Sequence, residues 1–470
     1  MAAPGEPGCV TMTQSKQMTP LVLLMLAGYG QPGFSQSDIA SSHPEEFRVY
    51  TEHPRLLLNA RRLRLLRREK ERNSIRWEQF HTLIAGKVDM PEKGFAFSLY
   101  YLASGEAAYA RQAIQWALGP ATDLRQLALV FDWCHPELSE SQSDRLVQKI
   151  RRSMQADKRS TLAAIRSRTF AALALAGHVP DLAEQTLKDI WNDWWMATLV
   201  PAIRADRLAL ARQDSYPLME ILHVVRDNLN FDMRDNALRF FKDFSLHRIL
   251  TYYPAVYPAA ENQYRIPMYS GTGEPNLDEA ALSRATDLSI VAFDTNALEH
   301  QFLQGWLIQD RFLMRGPYSI PYEFLWANPY QPGLSYHHLP NFFHDPQSGV
   351  LLLRSSWEED ATWLSYNRGE MELFLDGRRS GLRPTSIREP LAIGDHVVMV
   401  GGSPMQWSLT LPETTRYFIL GFKPDTFYEL EVDDEELAEE KSDIGGVLAL
   451  TFPASVNVGV RIRESQYKRP

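Results

Sequence analysis

The chain has 470 residues, 44% of them hydrophobic and 23% charged, and a formal net charge of −9. This length exceeds one ordinary core and predicts two domains, and the composition is that of a globular chain, neither disordered nor membrane-embedded. The negative total argues against a nucleic-acid partner, because neutralising phosphates needs a basic face; it leaves room for a local basic cleft that takes an anionic sugar polymer.

Residues 1–36 read as a signal peptide, with a disordered targeting tail as the alternative. Lys16 precedes the apolar stretch Leu21–Ala27, and Gly33-Phe34-Ser35 supplies a small-x-small pattern. Met12 is an alternative start. The apolar run is too short to span a bilayer, so the expectation is an exported, periplasmic or secreted protein with no membrane span. Cleavage there removes Cys9 and leaves Cys134, which follows Phe131-Asp132-Trp133 on an apolar helix and reads as a buried, inert thiol.

From about 50 to 315 one amphipathic helix follows another. Leu56 to Arg72 opens the series, and Leu187, Ile190, Trp191 and Trp194 mark one buried helix face. Trp195 joins these tryptophans as core rather than as a sugar-stacking set. Leu102–Glu106 and Leu175–Asp181 are similar helix–Gly–helix breaks, which predict antiparallel helix pairs set side by side in a ring or solenoid. A long Pro/Tyr/Gly-rich loop runs from Pro254 to Glu274, and loops of that length are often functional. Two more helices are expected over 279–294 and 298–314, and 316–346 reads as an interdomain connection.

Beyond it the period changes from 3.6 to 2. Strands are expected at 349–354, 361–366, 370–375, 396–400, 407–411, 415–420, 447–452 and 456–462, giving an antiparallel sheet or sandwich over 347–470. The acidic run Glu429–Glu440 reads as a solvated loop between strands.

Two segments carry a family likeness. Glu52-His53-Pro54-Arg55-Leu56-Leu57-Leu58 opens the helical half, and Asp345-Pro346-Gln347-Ser348-Gly349-Val350-Leu351-Leu352-Leu353-Arg354-Ser355-Ser356-Trp357 opens the second. Both resemble the corresponding entry segments of the heparinase II/III and alginate lyase group. The resemblance implies an α+β multidomain fold, an N-terminal (α/α) toroid (an incomplete helical barrel) followed by an antiparallel β-sheet or sandwich domain. It also implies cleavage of uronate-containing polysaccharide by β-elimination. That reaction needs a cation or amide to neutralise the uronate carboxylate, and Tyr or His to move the C5 proton and protonate the leaving O4.

The resemblance places the catalytic tyrosine at Tyr216. The segment expected to carry an Asn-His pair reads Arg159 to Arg166 and has neither, and 381–387 lacks the sheet-domain histidine. His223 and His338 are the candidate partners of Tyr216, with Arg212, Tyr264, Arg265, His337 and Arg383 as candidate substrate-binding residues. Each has a plainer structural role open to it: a packed helix edge for Arg212, Tyr216 and His223, a surface loop for His337 and His338, a solvated turn for Arg378, Arg379, Arg383 and Arg388. No cofactor fingerprint, G-x-S-x-G elbow, H-E-x-x-H or C-x-x-C occurs, and no cofactor or metal is expected. Three functions stay open: a lyase acting on acidic polysaccharide, a catalytically degenerate glycan-binding or envelope scaffold relative, and a toroid glycoside hydrolase using Asp214 with Glu261 or Glu274.

Overall fold

The computed structural model describes residues 47–49, 51–205, 210–258, 263–271, 273–310, 314–433 and 436–465. The targeting segment 1–36, Cys9 and Glu261 lie outside the described residues.

The helical half comprises α1 (Ala60–Glu71), α2 (Ile75–Ala85), α3 (Lys93–Ser104), α4 (Ala107–Leu118), α5 (Leu124–Trp133), α6 (Glu140–Ala156) and α7 (Leu162–Leu175). It continues through α8 (Pro180–Asp189), α9 (Val200–Arg204), α10 (Arg212–Leu229), α11 (Leu238–Leu250), α12 (Leu277–Phe293), α13 (Leu298–Asp310) and α14 (Ile320–Trp326). Starts are set by side-chain caps: Asp123 on α5, Ser139 with Gln142 as a capping box on α6, Thr161 on α7, Asn276 on α12. α1 begins later than the pattern from Leu56 suggests. Asn59 caps it, accepting from the Arg62 N–H at 2.9 Å, so Leu56–Leu58 enter the core as irregular chain.

α3 packs on α5, α5 on α7, α7 on α10, α10 on α12, α12 on α14, and α14 back on α3. These form the inner ring, and the alternate helices pack outside it. Because each inner helix follows an outer one running the other way, the inner helices begin at the same end, which we call the mouth. The sixth inner helix is only 7 residues long. It falls inside 316–346, which was expected to be a bare connection; seven residues that are buried on every side show no amphipathic period, so the helix is silent in the sequence. The tryptophan pattern also shifts. Ile190–Leu199 widens into a π-helix, which rotates the later residues and buries Trp195, bonded to Asn236 Oδ1 at 3.1 Å, rather than Trp194.

Two short strands, β1 (Tyr257–Pro258) and β2 (Gln263–Tyr264), pair within the long loop. The second half stacks three sheets. β3 (Phe342–Asp345), β4 (Val350–Arg354), β5 (Trp363–Asn367), β6 (Glu370–Leu375) and β7 (Arg378–Leu382) form an antiparallel meander. β8 (Leu391–Ile393), β9 (His396–Val400), β11 (Thr415–Leu420) and β14 (Val447–Phe452) form a second sheet, and β10 (Met405–Leu411), β12 (Phe427–Val432), β13 (Glu436–Lys441) and β15 (Ser455–Glu464) a third. β9 and β11 pair in parallel, the one described pair of strands that departs from the antiparallel expectation, because β10 between them crosses to the third sheet. The acidic run is not a loop. It lies mostly on β12 and β13, where Tyr428 and Leu430 face inward while Glu429 and Glu431 meet Arg463 at 2.7 Å and Arg461 at 3.2 Å on β15.

Strict alternation makes the layers. On β4, Leu352 packs on the toroid while Leu351 and Leu353 pack on the second sheet; on β11, Phe418 and Leu420 face the first sheet and Tyr417 and Ile419 the third. Trp363 pins the first sheet to the toroid, its indole N–H donating to the Leu250 carbonyl at 2.7 Å. Among the described residues no helix is long and apolar enough to cross a membrane.

The His-Pro-Arg-Leu segment is held by one buried carboxylate on α5. Asp132 accepts from the backbone N–H of Arg55 at 2.9 Å and of Leu56 at 2.8 Å, and meets His53 Nδ1 at 2.5 Å. Asp132→Ala strands these donors in the core and is expected to cost about 3 kcal/mol, read as a lower urea midpoint with unchanged m-value.

Candidate functional site

At the mouth, charged and phenolic side chains of five inner helices converge inside the ring, from the N-cap of α3 and the first turn of α5 to the third turn of α10. Arg125, in the first turn of α5, is fully buried and grips Glu220 of α10, with Nη2 at 2.6 Å and Nε at 3.0 Å from its carboxylate. Arg166 of α7 reaches the other oxygen of Glu220 at 3.1 Å. Glu92, capping α3, accepts from the Tyr322 phenol of α14 and lies 3.4 Å from Arg125 Nη1. Tyr216 stands edge-on to Tyr322, 5.1 Å between ring centres, and its oxygen accepts from the Trp326 indole at 2.8 Å.

Burial and the pairings set the protonation states. Burial alone would lower Arg125, but Glu220, Tyr322, Glu92 and Tyr216 together outweigh it and hold the guanidinium charged. Burial, and then the Glu220 charge, push the Tyr216 phenol well above its ordinary value; burial raises Tyr322 likewise and lifts Tyr318 at the rim to about 12. Burial raises Glu92 against the pull of Arg125, and raises Asp214. Arg212 differs from the other arginines of the mouth. Burial, then the neighbouring Arg248 charge, lower it to about 10, and no carboxylate among the described residues lies in ion-pair reach of it. Arg248 itself is taken by Asp287 at 2.7 Å. Arg166 keeps a buried Nε with no hydrogen-bond partner among the described residues. Away from these residues, α3, the outer helix α4 and the 119–122 segment line an open hollow of about 490 Å³ that includes Phe97, Trp116, Gln112 and Gln115.

This set can neutralise a carboxylate through Arg212, donate protons from phenols, and bond hydroxyls. The N-terminal turn of α5, which carries no acidic residue, adds positive potential near this set.

Of the candidate residues, Arg212 and Tyr216 come together at this end, one helical turn apart on one face of α10. His223 does not join them: two turns along, its Nε2 faces the Ser289 carbonyl at 2.9 Å and its ring packs 4.4 Å from Trp326. His337 and His338 are exposed on the connection, away from Tyr216 and His223, which are buried; His337 stacks on Tyr336 at 4.5 Å. Arg265 is buried, its Nε donating to the Pro254 carbonyl at 2.8 Å and its Nη atoms 3.8 Å from Asp310 and 3.5 Å from Glu359, so it ties the long loop down. Tyr264 is buried beside it, and Arg383 is exposed beyond β7. Arg379 bonds Glu372 and stacks 4.0 Å over Tyr269. Glu92, Arg125, Arg166, Glu220, Tyr318 and Tyr322 escaped the sequence reading. The available signal was a lone charge in an apolar helix, as in Leu124–Trp133 and Leu218–Val225, because such a charge must find a partner.

No family model matches the chain, and no curated protein matches it. Among solved structures it is similar to the heparan sulfate lyase HepC from Pedobacter heparinus, at 13% identity and TM-score 0.36, covering 79% of this chain and 75% of that one. A mutant of the same lyase gives 14%, 0.37, 79% and 76%, and a glycoside hydrolase 9%, 0.30, 80% and 71%. The residues of the mouth stand on their own geometry.

Two outcomes test the site's electrostatics. Glu220→Ala leaves buried Arg125 with only the more distant Glu92, and Arg166 with no carboxylate partner among the described residues, and is expected to cost about 3 kcal/mol by chemical denaturation. The His223 imidazole is held well below its usual value by burial and then by Arg226, so it is neutral in the fold and takes a proton on unfolding. Its contribution is therefore present above about pH 6.5 and lost as pH falls below it. The melting temperature should drop from pH 7 to pH 5, and His223→Phe, which keeps a ring against Trp326, should flatten that drop.

Proposed function

We propose that this chain binds an acidic, uronate-containing polysaccharide at the mouth of the toroid, with Arg212 holding a uronate carboxylate. The observation that carries this reading is Arg212 itself, a half-buried guanidinium beside another cation and without a carboxylate in reach among the described residues. A desolvated cation in that position is stabilised by an incoming carboxylate, which the guanidinium fork can take bidentately. The N-terminal turn of α5 and the unpartnered Arg166 Nε favour the same anion. Export belongs to the same proposal.

Cleavage of the bound polymer by β-elimination is the second reading, favoured by the one-turn spacing of Arg212 and Tyr216. With its raised pKa, Tyr216 would serve as the proton donor to the leaving O4. Full burial of that phenol between Trp326 and Glu220 favours binding without cleavage.

Calorimetric titration with alginate, heparan sulfate, chondroitin and hyaluronan tests both. At least one polymer should bind, and Arg212→Ala should weaken it by about tenfold or more. Binding that ignores Arg212→Ala overturns the placement. A rise in unsaturated-uronate absorbance that Tyr216→Phe abolishes would establish elimination; new reducing ends without it would establish hydrolysis.

A further inference from the structure

The opposite end of the toroid carries a second basic feature. The last turn of α10 lies about 15 Å from Tyr216, at 1.5 Å rise per residue. There, α1, the C-terminal ends of α10, α12 and α14, and the 328–334 loop enclose a groove of about 1100 Å³. His223 and Trp326 form part of its floor.

Its arginines fall into two groups. Arg62 and Arg226 serve the fold: Arg62 donates to the Trp326 carbonyl at 3.0 Å, and Arg226 bonds the Phe293 carbonyl and pairs with Asp227 at 2.9 Å. Arg61, Arg64 and Arg68 are exposed along α1, with no carboxylate in ion-pair reach among the described residues. The groove's own carboxylates have other partners, Asp227 in Arg226 and Asn59, Asp294 in Arg234 at 3.8 Å.

The placement of this charge is unfavourable for the fold by itself. The first turn of α1 holds no acidic residue and carries Arg61 and Arg62, where the helix dipole favours anions. An anionic ligand lying along α1 would relieve both the mutual repulsion and the dipole clash. The opposite wall is not simply charged. Tyr330 is 41% exposed, and the guanidinium groups of Arg68 and Arg72 lie 4.7 and 5.2 Å from its ring centre, which fixes the ring as a platform. Asn296 and Gln301 line the same groove and present amides.

We infer that this groove is a second binding site, for an acidic oligosaccharide: Arg61, Arg64 and Arg68 take its carboxylate or sulfate groups, Tyr330 stacks on a sugar ring, and the amides take hydroxyls. The class of ligand follows from the acidic-glycan reading of the mouth, while the place follows from the groove's own residues. A long polymer could then be held at both ends of the toroid, which raises its apparent affinity over that of either site.

The test uses the full chain and two probes, a heparin hexasaccharide and a hexauronate from alginate, titrated calorimetrically at low salt. Wild-type protein should bind two hexasaccharides. The triple variant Arg61→Ser, Arg64→Ser, Arg68→Ser should lose one of them, or weaken it by about tenfold or more, and keep the one that Arg212→Ala removes. Because α1 is capped by Asn59 and these side chains are exposed, the triple variant should keep the wild-type circular dichroism and melt at or slightly above the wild-type temperature. Tyr330→Ala should weaken the hexasaccharide at the groove while leaving inorganic sulfate unchanged. One site per wild-type chain, lost with Arg212→Ala and untouched by the triple variant, overturns the groove and leaves the mouth standing. One site lost with the triple variant alone overturns the mouth and leaves the groove. Equal loss of sulfate and sugar with Tyr330→Ala overturns the stacking assignment, and no binding of either probe overturns both sites.

Discussion

Glu220 is the group around which the helical half is organised. A carboxylate with no exposure is tolerable only if its charge is matched at once, and here α5 and α7 each send an arginine to it. That requirement sets the register of three inner helices, bringing the third turn of α10 level with the first turn of α5 and the second turn of α7. The same level places Glu92 and Tyr322, on α3 and α14, around Arg125. The mouth is therefore a consequence of pairing a buried charge, and its protonation pattern follows from burial. Phenols stay protonated, Arg125 stays charged, and Arg212, two turns outside the pairing, has no carboxylate in ion-pair reach among the described residues.

The sheets are fastened to this ring by different physics. Three layers stack because alternate residues on β4 and β11 face opposite cores, so each strand serves two interfaces at once. Polar contacts pin the join: Trp363 to the Leu250 carbonyl, and Tyr253 to Glu372 at 2.5 Å. Arg265 closes the long loop against Asp310 and Glu359. The fold uses that arginine as a tie, whereas Arg212 has no carboxylate in ion-pair reach among the described residues, although both looked alike as candidates for a uronate.

The two ends of the ring also differ in kind. At the mouth, helix N-termini face a mixed set of acids, phenols and arginines in which most charges are matched. At the far end, α1 lays unmatched arginines along a groove at the C-termini of three inner helices. Trp326 separates them, bonding Tyr216 on one side and packing on His223 on the other, which is why a tyrosine and a histidine two turns apart on one helix serve different surfaces.

The order of helices then strands, the change of period near Gly349, most strand positions and the buried state of Cys134 were legible from local pattern, since side-chain periodicity reports which face is covered. Arg212 and Tyr216 were legible as neighbours because four residues make one helical turn. The seven-residue α14, the π-helical shift at Ile190 and the strand character of Glu429–Glu440 were not, because each depends on partners distant in sequence: the ring for α14, Asn236 for Trp195, the arginines of β15 for the acidic run. The sequence by itself determined a helical ring followed by sheets and supplied the arginines and tyrosines. Tertiary structure alone decided which of those arginines are neutralised by a carboxylate among the described residues and which are not, because charge matching is a contact between helices and leaves no periodic trace in any one of them.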